Sequence, residues 1–182
     1  MRILVTIMFC SHFFSLSAQE NPFANIQYDS LVIYDLNYKY KEDNQWKRLK
    51  SIVNENEVLI EGCIKKSSRL SKDESSVFTQ KIGMKSSYGL TSASCFDPHF
   101  GAVYFKDGKP NAHITICLSC NTYKTSHNIP ASQQGPKDLD GEIYYMKTGF
   151  SMSFRKYLND LKKSSGFHSL QELDHPTFHV DY

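Results

Sequence analysis

The sequence predicts an α+β fold, in which a small antiparallel sheet with a cysteine-bearing β-hairpin is covered by a helical hairpin and a C-terminal helix. Three observations indicate this class: two strand-like runs flank an Asp-Gly turn, a tyrosine-rich run alternates with period two, and other apolar residues recur at helical spacing. The 182 residues are 40% hydrophobic and 22% charged, which is a globular composition. We expect one domain over residues 26–170, followed by a polar tail at 171–182.

The formal charge is nearly balanced, with 21 basic and 19 acidic residues and a net charge of +2. Affinity for nucleic acid needs a clustered excess of lysine and arginine, and the composition gives no such excess. The sequence therefore predicts no nucleic-acid partner. It does not indicate which other partner the protein has.

The first eighteen residues have the design of a secretory signal peptide. Arg2 precedes an apolar run from Ile3 to Leu16, and the small residues Ser17 and Ala18 follow. The run is shorter than the roughly 20 residues that span a bilayer, and no later run is longer. We expect cleavage between residues 17 and 19, export to the periplasm or the extracellular space, and no integral membrane segment in the mature chain.

The first strand is predicted over residues 31–40, which are rich in β-branched and aromatic side chains. Its alternating residues on one face are Tyr34, Leu36, Tyr38 and Tyr40. A turn is expected at 42–45. After it, helical spacing predicts a short helix, with apolar positions at Trp46, Leu49, Ile52 and Val53.

A helical hairpin is expected between residues 54 and 83. Asn54 or Asn56 is placed to cap the first helix. The apolar stripe of that helix is Leu59, Ile60, Cys63 and Ile64, which makes Cys63 a core residue. The second helix begins at Ser71 and Glu74, whose spacing is that of a capping box.

The clearest local signal is a β-hairpin. The runs 102–105 and 112–117 flank Asp107-Gly108, a dipeptide that favours a two-residue turn. Lys106 then faces Lys109, and strand alternation divides the second strand between two faces. We expect a core face with Ile114, Ile116 and Leu118, and an opposite face with His113, Thr115 and Cys117.

The same register carries Cys95 and His99 to the end of the hairpin at which Cys117 and Cys120 lie. Beyond it, the polar segment 121–141 is predicted as a long loop. From Phe150 onward, apolar residues recur as in an amphipathic helix, which we expect to stop before Gly166.

Four cysteines remain after signal cleavage, and three of them converge at this end of the hairpin. The candidate disulfide or metal residues are Cys95, Cys117 and Cys120, with His99 and His113 as further metal ligands and Pro98 as a structural turn residue. In an oxidising compartment, a disulfide from Cys95 to Cys117 or to Cys120 is the first hypothesis. Closing the loop between Cys95 and either of these cysteines stabilises the protein by roughly 3 kcal/mol in the chain-entropy model.

Two alternatives stay open. The two-residue gap between Cys117 and Cys120 suits zinc, with Cys95 and either His99 or His113 completing a Cys₃His set. The same cysteines are also candidates for thiol–disulfide exchange or for a cysteine-dependent enzyme. A reactive pair usually needs a helix N-terminus beside it, and residues 121–127 show no helical pattern.

These segments resemble a group of uncharacterised exported proteins from Bacteroidetes. The shared pattern is a C-x-x-P-[RH] segment, a hydrophobic strand, an Asp-containing turn and an I-C-x-x-C strand end, and the resemblance covers residues 57–120. Many members have Arg-His where this chain has His99-Phe100. The resemblance implies that Cys95, Pro98, Cys117 and Cys120 act as one unit, and it implies no particular activity.

The sequence thus predicts an exported structural or binding module, in which the cysteine cluster acts as a disulfide lock. We expect a binding or structural role rather than catalysis. No cofactor is expected apart from the zinc of the alternative hypothesis.

Overall fold

A computed structural model describes residues 21–167, except 136, 140 and 145. The strands are β1 (Ser30–Leu36), β2 (Lys39–Glu42), β3 (Gln45–Arg48), β4 (Ile64–Arg69), β5 (Tyr88–Leu90), β6 (Phe100–Lys106), β7 (Lys109–Cys117), β8 (Thr122–Thr125), β9 (Lys137–Leu139), β10 (Glu142–Tyr144) and β11 (Gly149–Phe150). The helices are α1 (Lys72–Gly83) and α2 (Met152–Ser164), and short 3₁₀ turns lie at Glu61–Cys63, Lys85–Ser87 and Pro130–Ser132. The expected signal peptide and the 171–182 tail lie outside the described residues.

The main sheet has five antiparallel strands in the order β4-β1-β6-β7-β8. One face packs against both helices, through Phe78 and Ile82 of α1 and Phe154 and Leu158 of α2. The opposite face is covered by the chain between β3 and β4. The side chains of that second cluster are Tyr34, Leu36, Tyr40, Leu49, Ile52, Val53, Cys63 and Val103. The α+β class is therefore confirmed.

The central hairpin has the expected turn. Asp107 and Gly108 both have positive φ angles, 50° and 74°, which closes a two-residue loop with Lys106 opposite Lys109. Pro110 cannot donate a ladder hydrogen bond, and the register shifts by one between Tyr104 and Phe105. The predicted faces are confirmed, since Ile114, Ile116 and Leu118 join the helix-side core while Thr115 points to the other side and binds the Ile52 N–H.

The prediction of a helix after residue 45 is wrong. Asp43 and Asn44 adopt positive φ angles of 50° and 63°, so they form a tight turn that folds β3 back onto β2. This confirms the turn at 42–45. Asp and Asn tolerate the left-handed region better than most residues, and here they complete a second hairpin instead of leading into a helix.

The first helix of the expected helical hairpin is also absent from the described chain. Asn54 accepts hydrogen bonds from the backbone N–H groups of Asn56 and Val58 through its side chain, which holds a turn instead of a helix start. The following β4 pairs with β1, so long-range strand pairing overrides the local helical spacing. Cys63 is nevertheless fully buried in the core, as expected.

The two remaining helices agree with their signals. Ser71 and Glu74 form both hydrogen bonds of the capping box at the start of α1. Ser151 caps α2, and Gly166 with φ of 68° follows its end.

The segment 121–141 is not one long loop. It begins with β8, which pairs with β7 at the edge of the main sheet, and it continues through a 3₁₀ turn into β9. Tyr123 of β8 packs on Phe150 with ring centroids 4.9 Å apart. That aromatic contact, together with β-branched Thr122 and Thr125, makes the polar segment a strand.

Candidate functional site

The cysteine corner, defined as Cys95, Cys117 and Cys120, lies where β7 turns into β8. Cys117 ends β7, and the turn after it is closed by a hydrogen bond from the Asn121 N–H to the Leu118 carbonyl. The Sγ atoms of Cys95 and Cys120 lie at disulfide bonding distance, with their Cα atoms 5.7 Å apart. Of the two partners left open for Cys95, the geometry selects Cys120.

Cys117 and Cys63 are free thiols. Cys117 is fully buried, and its Sγ accepts a hydrogen bond from the Cys120 N–H at 3.3 Å. Cys63 lies in the core on the other side of β1 from the helices, and burial raises the pKa of its thiol to about 11. Both thiols are shielded from solvent, and the raised pKa of Cys63 disfavours the thiolate form that redox chemistry needs.

The segment from Cys95 to His99 runs alongside β7 and continues the line of β6. The Ala93 N–H donates to the Cys120 carbonyl, and the backbone of His99 bonds to both Ile116 and Leu36. Pro98 is buried within this run. The predicted arrival of Cys95 and His99 at the same end of the β6–β7 hairpin as Cys117 and Cys120 is confirmed.

His113 lies away from this corner. It is four residues before Cys117 on a strand, about 13 Å along the backbone. Its Nε2 is 3.0 Å from the hydroxyl oxygen of Ser51, and burial, with a smaller effect of nearby His127, lowers its pKa to about 4. Within the described residues, no group of three or more histidine, cysteine or acidic side chains is arranged to hold a metal ion.

The Cys117-x-x-Cys120 pair is followed by strand β8 and not by a helix, as its sequence indicated. No helix dipole points at either sulfur from that side, so the usual means of activating such a pair is missing from this turn. Among the residues the structure describes, the corner has the features of a structural bond more than of a reactive thiol.

Asn121 connects the corner to the start of α2 and was not singled out in the sequence. Its fully buried side chain donates to the carbonyls of Thr91 and Phe150 and accepts from the Phe150 N–H. A Cβ at Gly149 would lie 2.4 Å from two atoms of Asn121, the side-chain Nδ2 and the backbone carbonyl oxygen. Only glycine therefore fits at this position. The positive φ of Asn121, 49°, is the kind of turn position that asparagine favours.

Trp46 lies on strand β3 and forms part of an exposed surface that the predicted helix did not indicate. The pairing of β2 with β3 sets Lys41 opposite Trp46 and Lys39 opposite Arg48, and directly opposed side chains share one face of a ribbon. We call these four residues the Trp46 face. The Trp46 side chain is 74% exposed, whereas Tyr40 on the reverse of the ribbon is buried in the core. The hairpin is thus anchored on one side and open on the other.

Two neighbouring cavities beside the Trp46 face share lining residues and together form a groove. The first has a volume of about 360 Å³ and is lined by Lys39, Trp46, Lys47 and Arg48. The second, of about 690 Å³, shares Lys47 and Arg48 with the first and extends past Lys50, Ser51 and the Asn54 turn. Four of the lining residues are basic and one, Glu55, is acidic. We call this the basic groove.

The base of the hairpin rests on the segment that contains Cys95. Arg48 forms an ion pair with Asp97, and the Tyr38 ring packs on the His99 ring with centroids 5.4 Å apart. The Leu49 N–H also donates to the Tyr38 carbonyl and closes the ribbon. The cysteine corner and the Trp46 face are therefore linked through residues 97 and 99.

Comparisons of the chain with protein-family models, curated proteins and solved structures find no match. In the part of the chain that the structure describes, no helix has the length and apolar character needed to cross a bilayer. The site is therefore interpreted from its own chemistry.

Proposed function

We propose that this protein is an exported, non-enzymatic binding module, in which a Cys95–Cys120 disulfide locks the segment that supports a ligand-binding hairpin. The observation that carries the proposal is the Trp46 face: an indole and three cations share one open side of a ribbon whose reverse side is anchored in the core. Exposed aromatic and arginine side chains are typical of recognition surfaces.

The composition of the Trp46 face lowers the stability of the unbound protein. Lys39 and Arg48 are directly opposed cations, and like charges at such positions destabilise a strand pair. A largely exposed tryptophan forgoes the burial that its apolar surface favours. Local features that oppose stability are concentrated at functional sites, which supports a binding role here.

The proposed compartment follows from the signal-like first eighteen residues and from the cysteine pair. Disulfides persist in oxidising compartments and are rare where thiols are kept reduced. The resemblance to exported Bacteroidetes proteins supports the same proposal, because its motif includes both Cys95 and Cys120.

Two measurements test the proposal. Intact mass spectrometry of the protein isolated from an oxidising compartment, with and without reductant, should show a loss of two hydrogen atoms relative to the fully reduced chain. Peptide mapping should place the bond between Cys95 and Cys120. Four free thiols in that protein would contradict the lock.

The binding role is tested with immobilised envelope and extracellular polymers. We expect wild-type protein to bind at least one of them and Trp46→Ala to lose that binding. The matched control is Val77→Ala, which removes an exposed apolar side chain from α1, a helix that packs on the opposite face of the sheet. Equal binding by wild type and Trp46→Ala throughout the panel would contradict the role of the Trp46 face.

A further inference from the structure

We infer that the ligand of the Trp46 face is an acidic polysaccharide, whose sugar ring stacks on Trp46 while its carboxylate or sulfate groups pair with Lys39, Lys41 and Arg48. This inference rests on the proposed binding function and names the ligand class. The face and the basic groove carry it through their charge, their geometry and their single indole.

The charge of the chain is concentrated at this hairpin. Residues 39–50 include five basic and two acidic side chains, a net charge of +3, whereas the whole chain has a net charge of +2. The nearly neutral total therefore conceals a local basic cluster. Such a cluster raises the local concentration of anionic ligands even on a protein with little net charge.

The existing ion pairs leave this cluster open to an anion. Lys47 pairs with Glu42, and Arg48, which pairs with Asp97, has a side chain that is 65% exposed. Exposed pairs of this kind contribute little to stability and are readily rearranged. Lys39 and Lys41 form no ion pair with any residue that the structure describes. Anions spaced along a polymer would relieve the repulsion between Lys39 and Arg48.

The spacing of the cations favours an extended ligand. Lys39 and Lys41 lie two residues apart on one strand, about 6.6 Å, and Arg48 lies across the ribbon from Lys39. The cations therefore form a row with a cross-strand neighbour, an arrangement that suits anions spaced along a chain better than one small anion. The second cavity of the basic groove adds Lys50 and Asn56, whose polar side chains are suited to the acid groups and hydroxyls of a sugar chain.

The indole selects among polyanions. A pyranose ring presents an apolar C–H face that covers an indole, while its substituents reach the charges at the ring edge. An acidic peptide has charge and no such ring. Single-stranded nucleic acid binds best where successive bases stack on several aromatic rings, and Trp46 is the one aromatic side chain on the Trp46 face.

The test uses purified full-length mature protein and five probes: dextran sulfate, polygalacturonate, unmodified dextran, poly-L-glutamate and an oligodeoxythymidylate. We expect binding to dextran sulfate or polygalacturonate, weakening as salt rises, and at least tenfold weaker binding to the other three. Binding to dextran sulfate identifies sulfate as the recognised acid group, and binding to polygalacturonate identifies carboxylate.

Three variants separate the contributions of ring and charge. Trp46→Ala should weaken binding to the acidic polysaccharide by about tenfold, on the scale of an aromatic contact at the centre of an interface. Trp46→Tyr, which retains a ring, should recover part of that loss. Lys39→Gln combined with Lys41→Gln should weaken binding and reduce its salt dependence. Lys109→Gln, at the distant turn of the β6–β7 hairpin, is the matched charge control and should bind as wild type does.

The outcomes distinguish this inference from the proposed function. Equal binding to dextran and dextran sulfate, lost in Trp46→Ala and retained in the double lysine variant, would overturn the acidic ligand and leave a binding module. Equal or tighter binding to poly-L-glutamate or the oligonucleotide would overturn the sugar assignment. Binding to none of the five probes would overturn the inference. If the wider polymer panel also shows no effect of Trp46→Ala, the proposed function fails with it.

Discussion

The guanidinium of Arg48 pairs with the carboxylate of Asp97, two residues beyond the cysteine that lies at bonding distance from Cys120. Arg48 ends β3, and Asp97 belongs to the segment that leads into β6. The pair therefore joins two parts of the chain that are 49 residues apart. The neighbouring contact of Tyr38 with His99 makes the same connection from the residue before β2.

Through these two contacts, the cysteine corner also supports the β2–β3 hairpin. The backbone bonds of His99 and the Cys95–Cys120 bond hold residues 95–99 against β7, so Asp97 and His99 have fixed positions under the hairpin. Opening the bond would free the start of this segment. We therefore expect the order of the Trp46 face to depend on the oxidation state of the corner.

The first prediction concerns the bond itself. Cys95→Ser combined with Cys120→Ser should lower the free energy of unfolding by about 3 kcal/mol, because cross-linking residues 25 apart restricts the unfolded chain. Urea unfolding of the oxidised protein, the reduced protein and the double variant measures this. The reduced protein and the double variant should agree closely. A wild-type protein that is equally stable with and without reductant would contradict the prediction.

The second prediction concerns the link between corner and hairpin. A double-mutant cycle of Arg48→Ala and Asp97→Ala should give a coupling free energy of up to about 1 kcal/mol in the oxidised protein, the usual scale for an exposed ion pair. We expect the coupling to fall toward zero on reduction. The exposed Lys156–Asp160 pair of α2 is the control, and its coupling should not change with reductant. Equal Arg48–Asp97 coupling in both states would argue against support of the hairpin by the bond.

The third prediction concerns Asn121. Asn121→Ala should lower the free energy of unfolding by about 2 to 4 kcal/mol, because it leaves the buried backbone N–H and carbonyl of Phe150 and the part-buried carbonyl of Thr91 without their partner. Asn128→Ala is the matched control, since Asn128 is exposed and accepts one bond from Gln133. Its effect should stay below about 0.5 kcal/mol. Equal effects of the two substitutions would contradict the role of Asn121 as the connection to α2.

The fourth prediction concerns pH. Burial lowers the pKa of His113 from 6.5 to about 4, so between these values the unfolded chain binds a proton that the folded protein does not. The contribution of His113 to stability is therefore lost as the pH falls from about 6.5 to 4. With allowance for solvent screening of this half-buried ring, the loss is about 2 kcal/mol.

Urea unfolding at several pH values, compared between wild type and His113→Gln, isolates this effect from the titration of carboxylates. Glutamine retains a polar group near Ser51 and cannot titrate, so the variant should lose less stability at acid pH. His127→Gln removes only the smaller cause and should keep most of the wild-type slope. Parallel pH profiles for wild type and His113→Gln would show that His113 is not the titrating group.

Local signals predicted the elements whose geometry is fixed by neighbouring residues. Asp107-Gly108 fixes a turn through its φ angles, and Ser71 with Glu74 fixes a helix start through two short-range hydrogen bonds. The hairpin register carried Cys95 close to Cys120 despite the bulge, because a shift of one residue moves a strand by only about 3.3 Å.

Of the strands that the sequence did not predict, β4 depends on a distant partner, whereas β3 depends on the turn directly before it. β4 exists because β1 offers it a free edge, and β3 exists because Asp43 and Asn44 turn the chain back onto β2. The apolar spacing that includes Trp46 is typical of a helix. In the structure, Leu49, Ile52 and Val53 lie in an irregular segment and are buried in the second core cluster. The exposure of Trp46 therefore follows from the pairing of β2 with β3 and not from the local apolar spacing.

Fluorescence of Trp46 tests the central claim most directly, because it is the only tryptophan in the chain and lies on the proposed binding face. We predict emission close to that of tryptophan in water, a saturable blue shift on titration with the acidic polysaccharide that binds, and weaker binding after reduction of the Cys95–Cys120 bond. The double cysteine variant should reproduce the reduced protein. Emission that is unchanged by every probe, or titrations that are identical in the oxidised and reduced protein, would contradict the account.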